Sequence, residues 1–300
     1  MKIIIHNGQS INDAINKAMP GDILFIEKGI YNEKIKISKN DITIIGEDVD
    51  NTIIQNMDYS PKIHSDNKEY ITFRTWTLMV ASDNVTIKNI TIKNLSIPAT
   101  KYGQAVALHV LGNNFKLFDS KLLGDQDTLF CGPLPINLQE RYIGFLPEDE
   151  RMNKLSLQYY ENVYIEGGID FIFGSGTSIF NKCHFHSITD DHGYFFAPSH
   201  EASQEYGFTC FDCTFSGIKE HTMHLARPWR DYGKVTLLNS TILNNVISPD
   251  GWNRWNNTER YKTARFEEYN TNIDTSSFVS WSKHLTNEEA SKYSINKILK

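Results

Sequence analysis

Two nearly apolar segments each carry an aspartate with no local reason to be there: Gly124-Asp125-Gln126-Asp127-Thr128-Leu129-Phe130 and Gly167-Gly168-Ile169-Asp170-Phe171-Ile172-Phe173. Both fit Gly-x-x-Asp-x-(Leu/Ile)-Phe, with Asp127 and Asp170 in matching places 43 residues apart. A carboxylate among Ile, Leu and Phe costs desolvation unless it is paired, hydrogen-bonded or put to use. Two of them in equivalent settings suggest a proton donor beside a nucleophile or base. Other residues could assist such a pair. Gln126 adjoins Asp127, and Gln104 lies in Gly103-Gln104-Ala105-Val106-Ala107-Leu108. A glutamine amide is neutral and donates two hydrogen bonds, which suits an oxyanion; a backbone contact at a turn is its ordinary alternative. Arg227-Pro228-Trp229 joins a guanidinium able to grip a carboxylate to an indole able to stack on a sugar. Trp252 and Trp255 add aromatic surface close behind, with structural packing an even alternative for each.

What must position these groups is an internal repeat. Val85–Ile92, Phe115–Leu122, Gln158–Ile165, Ser178–Phe185, Phe208–Phe215 and Val235–Ile242 share one pattern, and a weaker copy begins at Ile42. Each is a short alternating strand, a polar residue at or near the fifth place, then a second short strand. Starts at 42, 85, 115, 158, 178, 208 and 235 are 43, 30, 43, 20, 30 and 27 residues apart. That period predicts coils of a parallel β-helix. A β-sandwich would show hairpin dipeptides, and Asn7-Gly8 alone qualifies. Residues 10–19, opened by Ser10, read as a capping helix, and 286–300 as a short C-terminal helical tail. With no linker, residues 1–300 are expected to be a single domain.

Asp127 and Asp170 each fall twelve residues after a repeat start, at 115 and 158. In-register coils would stack them about one strand spacing apart, roughly 4.8 Å. Carboxylates that close cannot both ionise freely, so one should hold a proton. The same offset gives Asp190 and Glu220, whose polar neighbours predict solvated turns. It also stacks Cys183 on Cys213. A disulfide there is conceivable, but a reduced ladder is the expectation. Cys210-Phe-Asp-Cys213 lacks further soft ligands nearby, so buried structural cysteines are expected rather than a metal site.

A net charge of −6 with no basic run argues against nucleic acid or an anionic membrane surface. No stretch approaches the length of a membrane span, and the first residues are too short for a secretory leader. A cytoplasmic location is expected, or a secreted one if a leader has been removed.

The blocks GQAVAL, GDQDTLF, GGIDFIFG and LARPW occur in that order, followed by DGWNRW and EEYN. This resembles the pectin methylesterases, from the first helix to about Trp281. The resemblance implies a right-handed parallel β-helix and hydrolysis of C6 methyl esters in homogalacturonan or oligogalacturonates. It further implies that Asp170 is the nucleophile and Asp127 the general acid and base. Gln104 and Gln126 would form the oxyanion hole, and Arg227 would orient Asp170. Trp229, Phe171, Trp252 and Trp255 would contact substrate. No metal or cofactor is implied, and a monomer is expected. Ala226 stands where glycine is usual, and Gly168-Ile169 where Thr-Val is usual. Residues 131–154 form a longer connection than expected, leaving the coil directly after Asp127, and are expected to be a cleft loop favouring short oligogalacturonates. Another β-helix esterase or thioesterase, a polygalacturonase, a pectate lyase and a non-catalytic carbohydrate-binding solenoid are the alternatives. The last three need patterns, a calcium site or a lost catalytic position that the chain does not display.

Overall fold

Short runs of β-branched and aromatic residues bury alternate side chains, and a polar residue that tolerates a left-handed backbone then turns the chain. The computed structural model, which describes residues 1–151 and 156–300, shows these units stacked coil on coil. Among the described residues they form three parallel sheets of eleven, eight and seven strands that run the length of the molecule. The register is the one the repeat predicts. Phe115 pairs with Gln158, Gln158 with Ser178, Ser178 with Phe208 and Phe208 with Val235. One place along, Thr43 pairs with Thr86 and Thr86 with Lys116. The fifth-place residues Asn89, Asp119, Asn162, Asp212 and Asn239 hold φ between 48° and 54°. Their side chains stack as well: Asn162 Nδ2 donates to Asp119 Oδ1 at 3.1 Å.

Inward-facing residues of the three sheets form one continuous core. Phe180 lies 4.8 Å from Tyr160 and 5.4 Å from Phe185, ring centroid to centroid. Cys183 and Cys213 are stacked, as the register requires, and are free thiols donating to the carbonyls of Tyr160 and Phe180 at 3.5 and 3.3 Å. Asp190 and Glu220 are exposed.

Helix α1 (Ile11–Lys17) closes the first coil, with Ile11 and Ile15 buried. Ser10 Oγ accepts from the Asp13 N–H at 3.2 Å. The helix ends at Lys17, short of residue 19, because Pro20 forces the backbone before it out of the helical region. Helix α2 (Ala99–Tyr102) is a single turn. The C-terminal tail is two single turns, α4 (Asn287–Ala290) and α5 (Ile295–Ile298), rather than one helix over 286–300. Between these ends, residues 131–154 depart from the expected loop in two ways. Cys131 is the last residue of strand Leu129–Cys131, and helix α3 (Ile136–Arg141) and a tight turn at Glu148–Glu150 follow it. Residues 152–154 of that expectation lie outside the described residues. Leu138 and Leu146 seat the segment on Phe130 and Phe173, which project from the outer face of the seven-stranded sheet, and on Phe73 of the single turn Thr72–Arg74. Among the described residues no helix is long and apolar enough to cross a membrane.

Candidate active site

Leu129 pairs with Ile172, and the same register carried back two residues sets Asp127 beside Asp170. The backbone fixes this: the Asp127 N–H donates to the Ile169 carbonyl at 3.1 Å, and the Leu129 N–H to that of Phe171 at 2.8 Å. Both aspartates have left-handed backbones, φ 67° and 49°. Strain of this kind persists only where the surroundings impose it, and aspartate tolerates it best among charged residues. The corner turns each carboxylate outward, into a cleft of about 430 Å³, although Asp127 and Asp170 are only 8% and 6% exposed.

Arg227 comes from two coils further on. Its N–H donates to the Phe196 carbonyl, which anchors it in the seven-stranded sheet. Nε and Nη2 grip Asp170 Oδ1 and Oδ2 at 2.8 and 2.6 Å, a two-pronged charge-assisted contact. The guanidinium is sandwiched between Tyr194 at 3.7 Å and Trp255 at 4.0 Å. Tyr194 in turn stacks on His224, whose Nε2 lies 3.0 Å from Asp250.

This geometry separates two like carboxyls. Burial raises the pKa of both. For Asp170 the Arg227 fork pulls back against that rise. Asp127 gains little from Arg227 and is pushed up further by the neighbouring Asp170 charge, so it stands well above the ordinary carboxylate range. Asp127 therefore carries the proton and Asp170 the charge.

Gln104 and Gln126 both line the cleft beside the pair. The Ala105 N–H donates to the Gln126 carbonyl at 3.0 Å, which locks the two segments together. Among the described residues neither side-chain amide has a hydrogen-bond partner, so their donors are free for a ligand. Asp125 is structural: its carboxylate accepts from the Ala99 N–H at 2.6 Å and holds α2, which leads into Gln104. A Cβ at Gly168 would lie 2.6 Å from Asp125 Oδ1, which accounts for glycine in that place.

The expected contact residues divide. Trp229 and Trp255 line the cleft. Phe171 does not; it is fully buried in the core, 5.2 Å from Phe195. Trp252 is also fully buried, packed on Phe266 at 5.1 Å at the end of the coil stack. Neither can touch substrate. Phe173 takes the place expected of Phe171, in register with Phe130 on one side and Ala197 on the other. Ala197, small between Phe173 and Arg227, leaves room in the cleft floor. The sequence reading also missed Thr72, Phe73, Leu138, Arg141, Tyr142 and Arg230, which complete the lining. Arg230, three places after Arg227, was the one with an available signal. The others sit on segments without a repeat.

Fold and site together define a class: a β-helical enzyme whose surface cleft holds an arginine-fixed carboxylate, a protonated carboxyl one strand away and free amide donors. Comparison with known proteins makes this specific. The chain belongs to the pectinesterase family, whose model matches residues 5–133 and 149–300 and so leaves 134–148 outside. It is 30% identical over 280 residues to Pectinesterase QRT1 of Arabidopsis thaliana, covering 90% of this chain and 67% of that protein. Its fold, a right-handed parallel β-helix, is similar to that of pectin methylesterase PemA from Erwinia chrysanthemi, at TM-score 0.82 and 23% identity over 99% of this chain and 96% of that one. It is also similar to a pectin methylesterase solved with a bound hexasaccharide, at TM-score 0.81 and 23% identity over 98% and 96%.

Proposed function

We propose that the cleft hydrolyses C6 methyl esters of galacturonate units through a covalent intermediate. The observation that carries this is the asymmetry of the stacked pair: Asp170 held ionised by the Arg227 fork, Asp127 held protonated one strand away. A carboxylate oxygen of Asp170 attacks the ester carbonyl carbon, and negative charge develops on the carbonyl oxygen. Gln104 and Gln126 donate to it. The C–O bond to the methoxy group breaks, Asp127 gives its proton to the departing oxygen, and methanol leaves an anhydride on Asp170. Asp127, now a carboxylate, takes a proton from water as that water attacks the anhydride. The free galacturonate departs and both side chains return to their starting states. Trp229 and Trp255 offer flat surfaces to the sugar rings. Bound hexasaccharide in a protein of similar fold supports an oligosaccharide as the ligand.

Asp170→Asn removes the nucleophile and should abolish methanol release from methylated oligogalacturonates; undiminished release would overturn the assignment. A preference for short oligogalacturonates belongs to the same reading. Leu138, Arg141 and Tyr142 of the segment outside the family match form one wall of the cleft and narrow it. Methanol release across a series of chain lengths tests it, and equal or faster rates on intact pectin would remove it.

A further inference from the structure

Two N–H groups of the Arg227 guanidinium reach Asp170, and among the described residues its other donors meet no acceptor. Two parallel bonds keep guanidinium and carboxylate in one plane, but leave that plane free to tilt as a unit. The tilt is set by the flanking rings, Tyr194 at 3.7 Å and Trp255 at 4.0 Å. Each ring is held in turn by its neighbours. The Trp255 N–H donates to Asn253 Oδ1 at 2.9 Å, and the Asn253 N–H to the Ala226 carbonyl at 2.9 Å. Tyr194 stands in register with His224 on the next strand, and the two rings stack at 5.4 Å and 18°. His224 Nε2 lies 3.0 Å from Asp250 Oδ1 in the turn beyond.

Packing alone gives no reason for histidine at 224. The residue is 8% exposed, and among the described residues its Nδ1 has no hydrogen-bond partner. A buried, unpaired ring nitrogen costs free energy that a leucine would not. What an aliphatic side chain lacks is a flat face for Tyr194 joined to an anchor on Asp250. Burial outweighs the pull of Asp250 and holds the imidazole pKa below its usual value, so the ring is uncharged at neutral pH and does not repel Arg227.

Resting on the reaction read above, we propose that His224 is a positioning residue for the nucleophile. Anchored at Asp250, it sets Tyr194, which sets the tilt of Arg227 and so the direction in which the Asp170 carboxylate faces the ester carbon. Attack needs that direction held closely, because a misplacement of about 1 Å can cost about 10²-fold in rate.

Two arms test it. The first needs no reaction: the mobility of Arg227 Nε is read by nitrogen-15 relaxation in wild type, His224→Ala, His224→Phe and Asp250→Asn. Among the described residues His224 makes no hydrogen bond or ring contact with Arg227, yet His224→Ala should loosen Nε. Asp250→Asn should loosen it less, and His224→Phe, which restores a flat ring, should recover most of the rigidity. An Nε equally rigid in all four proteins overturns the inference. The second arm measures kcat and KM for methanol release from methylated oligogalacturonates, per folded enzyme. His224→Ala should lower kcat about tenfold with KM within about twofold, and His224→Phe should regain roughly half of the wild-type kcat. An effect confined to KM, or a phenylalanine variant no better than alanine, overturns it. Should His224→Ala not fold, Asp250→Asn carries both arms: a looser Nε and a kcat lowered about threefold support the inference, and wild-type values overturn it. A wild type that releases no methanol, with Nε loosened as expected in the variants, would sink the reaction and leave this brace standing.

Discussion

Replacing Arg227 by lysine keeps one positive charge beside Asp170 but removes the fork. The wild-type side chain makes two charge-assisted hydrogen bonds to the carboxylate, at 2.8 and 2.6 Å; an ammonium on a flexible stem can replace one. A hydrogen bond to a charged group contributes about 1.5–3 kcal/mol, and one pKa unit corresponds to about 1.36 kcal/mol. Losing one such bond should therefore raise the pKa of Asp170 by about 1–2 units. The sign follows from the role: Asp170 attacks only when ionised, and the variant stabilises the ionised form less. The acid limb of kcat/KM against pH should move upward by that amount, narrowing the active range from its acidic side. The alkaline limb, set by loss of the Asp127 proton, should move much less. Methanol release measured across pH for both proteins reads this directly. The position of a limb does not depend on how much enzyme is folded, so lost stacking on Tyr194 and Trp255 cannot mimic it. An unmoved acid limb, or a shift confined to the alkaline one, would refute the division of roles between the two aspartates.

Gln126→Ala should lower kcat by about 10²–10³ with little change in KM, because its amide is needed only when the oxyanion forms; unchanged kcat would exclude that role. Acid should destabilise the fold through two buried histidines. Among the described residues His109 has no hydrogen-bond partner at either ring nitrogen, and His200 is held neutral, accepting from the Lys234 N–H at 3.1 Å and donating to the Gly176 carbonyl at 3.2 Å. Burial depresses both to about 3. Their folded pKa lies below an unfolded value of about 6.5, so their contribution is complete above that pH and fades as pH falls toward 3. Each histidine should remove about 1.4 kcal/mol per pH unit within that window. Urea unfolding at several pH values should show the slope, and His109→Leu should reduce it; a variant slope equal to wild type would count against this account.

The stacking of coils was legible because two local signals coincide at every turn. Alternation marks the strand, and a residue tolerant of left-handed backbone marks the corner, as at Asn89, Asp119 and Asn162. That is why counting from repeat starts placed Asp127 beside Asp170. The first two coils, with strands Lys2–Ile5 and Ile23–Ile26, were not read. Strand Lys2–Ile5 is followed by α1, and Ile23–Ile26 reaches its second strand, Gly29–Tyr31, through Glu27-Lys28 without a left-handed corner residue. The pairs in the cleft were misjudged where a corner resets alternation. After the left-handed Asp170, both Phe171 and Ile172 face the core and Phe173 faces out, so counting by twos from Asp170 gives the wrong side. Trp252 and Trp255 look alike in sequence, yet one fills the end of the coil stack and the other lies on Arg227. The wall formed by α3 had no periodic signal at all. Its residues are placed by apolar contacts to Phe73 and Phe130 that only the folded sheet creates.

The distance between the backbones that carry Asp127 and Asp170 is the repeat distance of the molecule, set by the hydrogen-bond ladder that joins any two adjacent strands. No side-chain packing has to be tuned to keep Asp127 and Asp170 close. Their closeness, and the repulsion that raises Asp127, are in that sense inherited from the pitch of the coil, while Arg227 decides which of the two keeps the charge. From one to the other the chain advances 43 positions around a single turn of that coil, and α3 is carried on it. The cleft wall carried on α3 and the acidic pair thus occupy separable parts of one turn. That wall can lengthen, shorten or change its charges while the pitch holds the pair where it was.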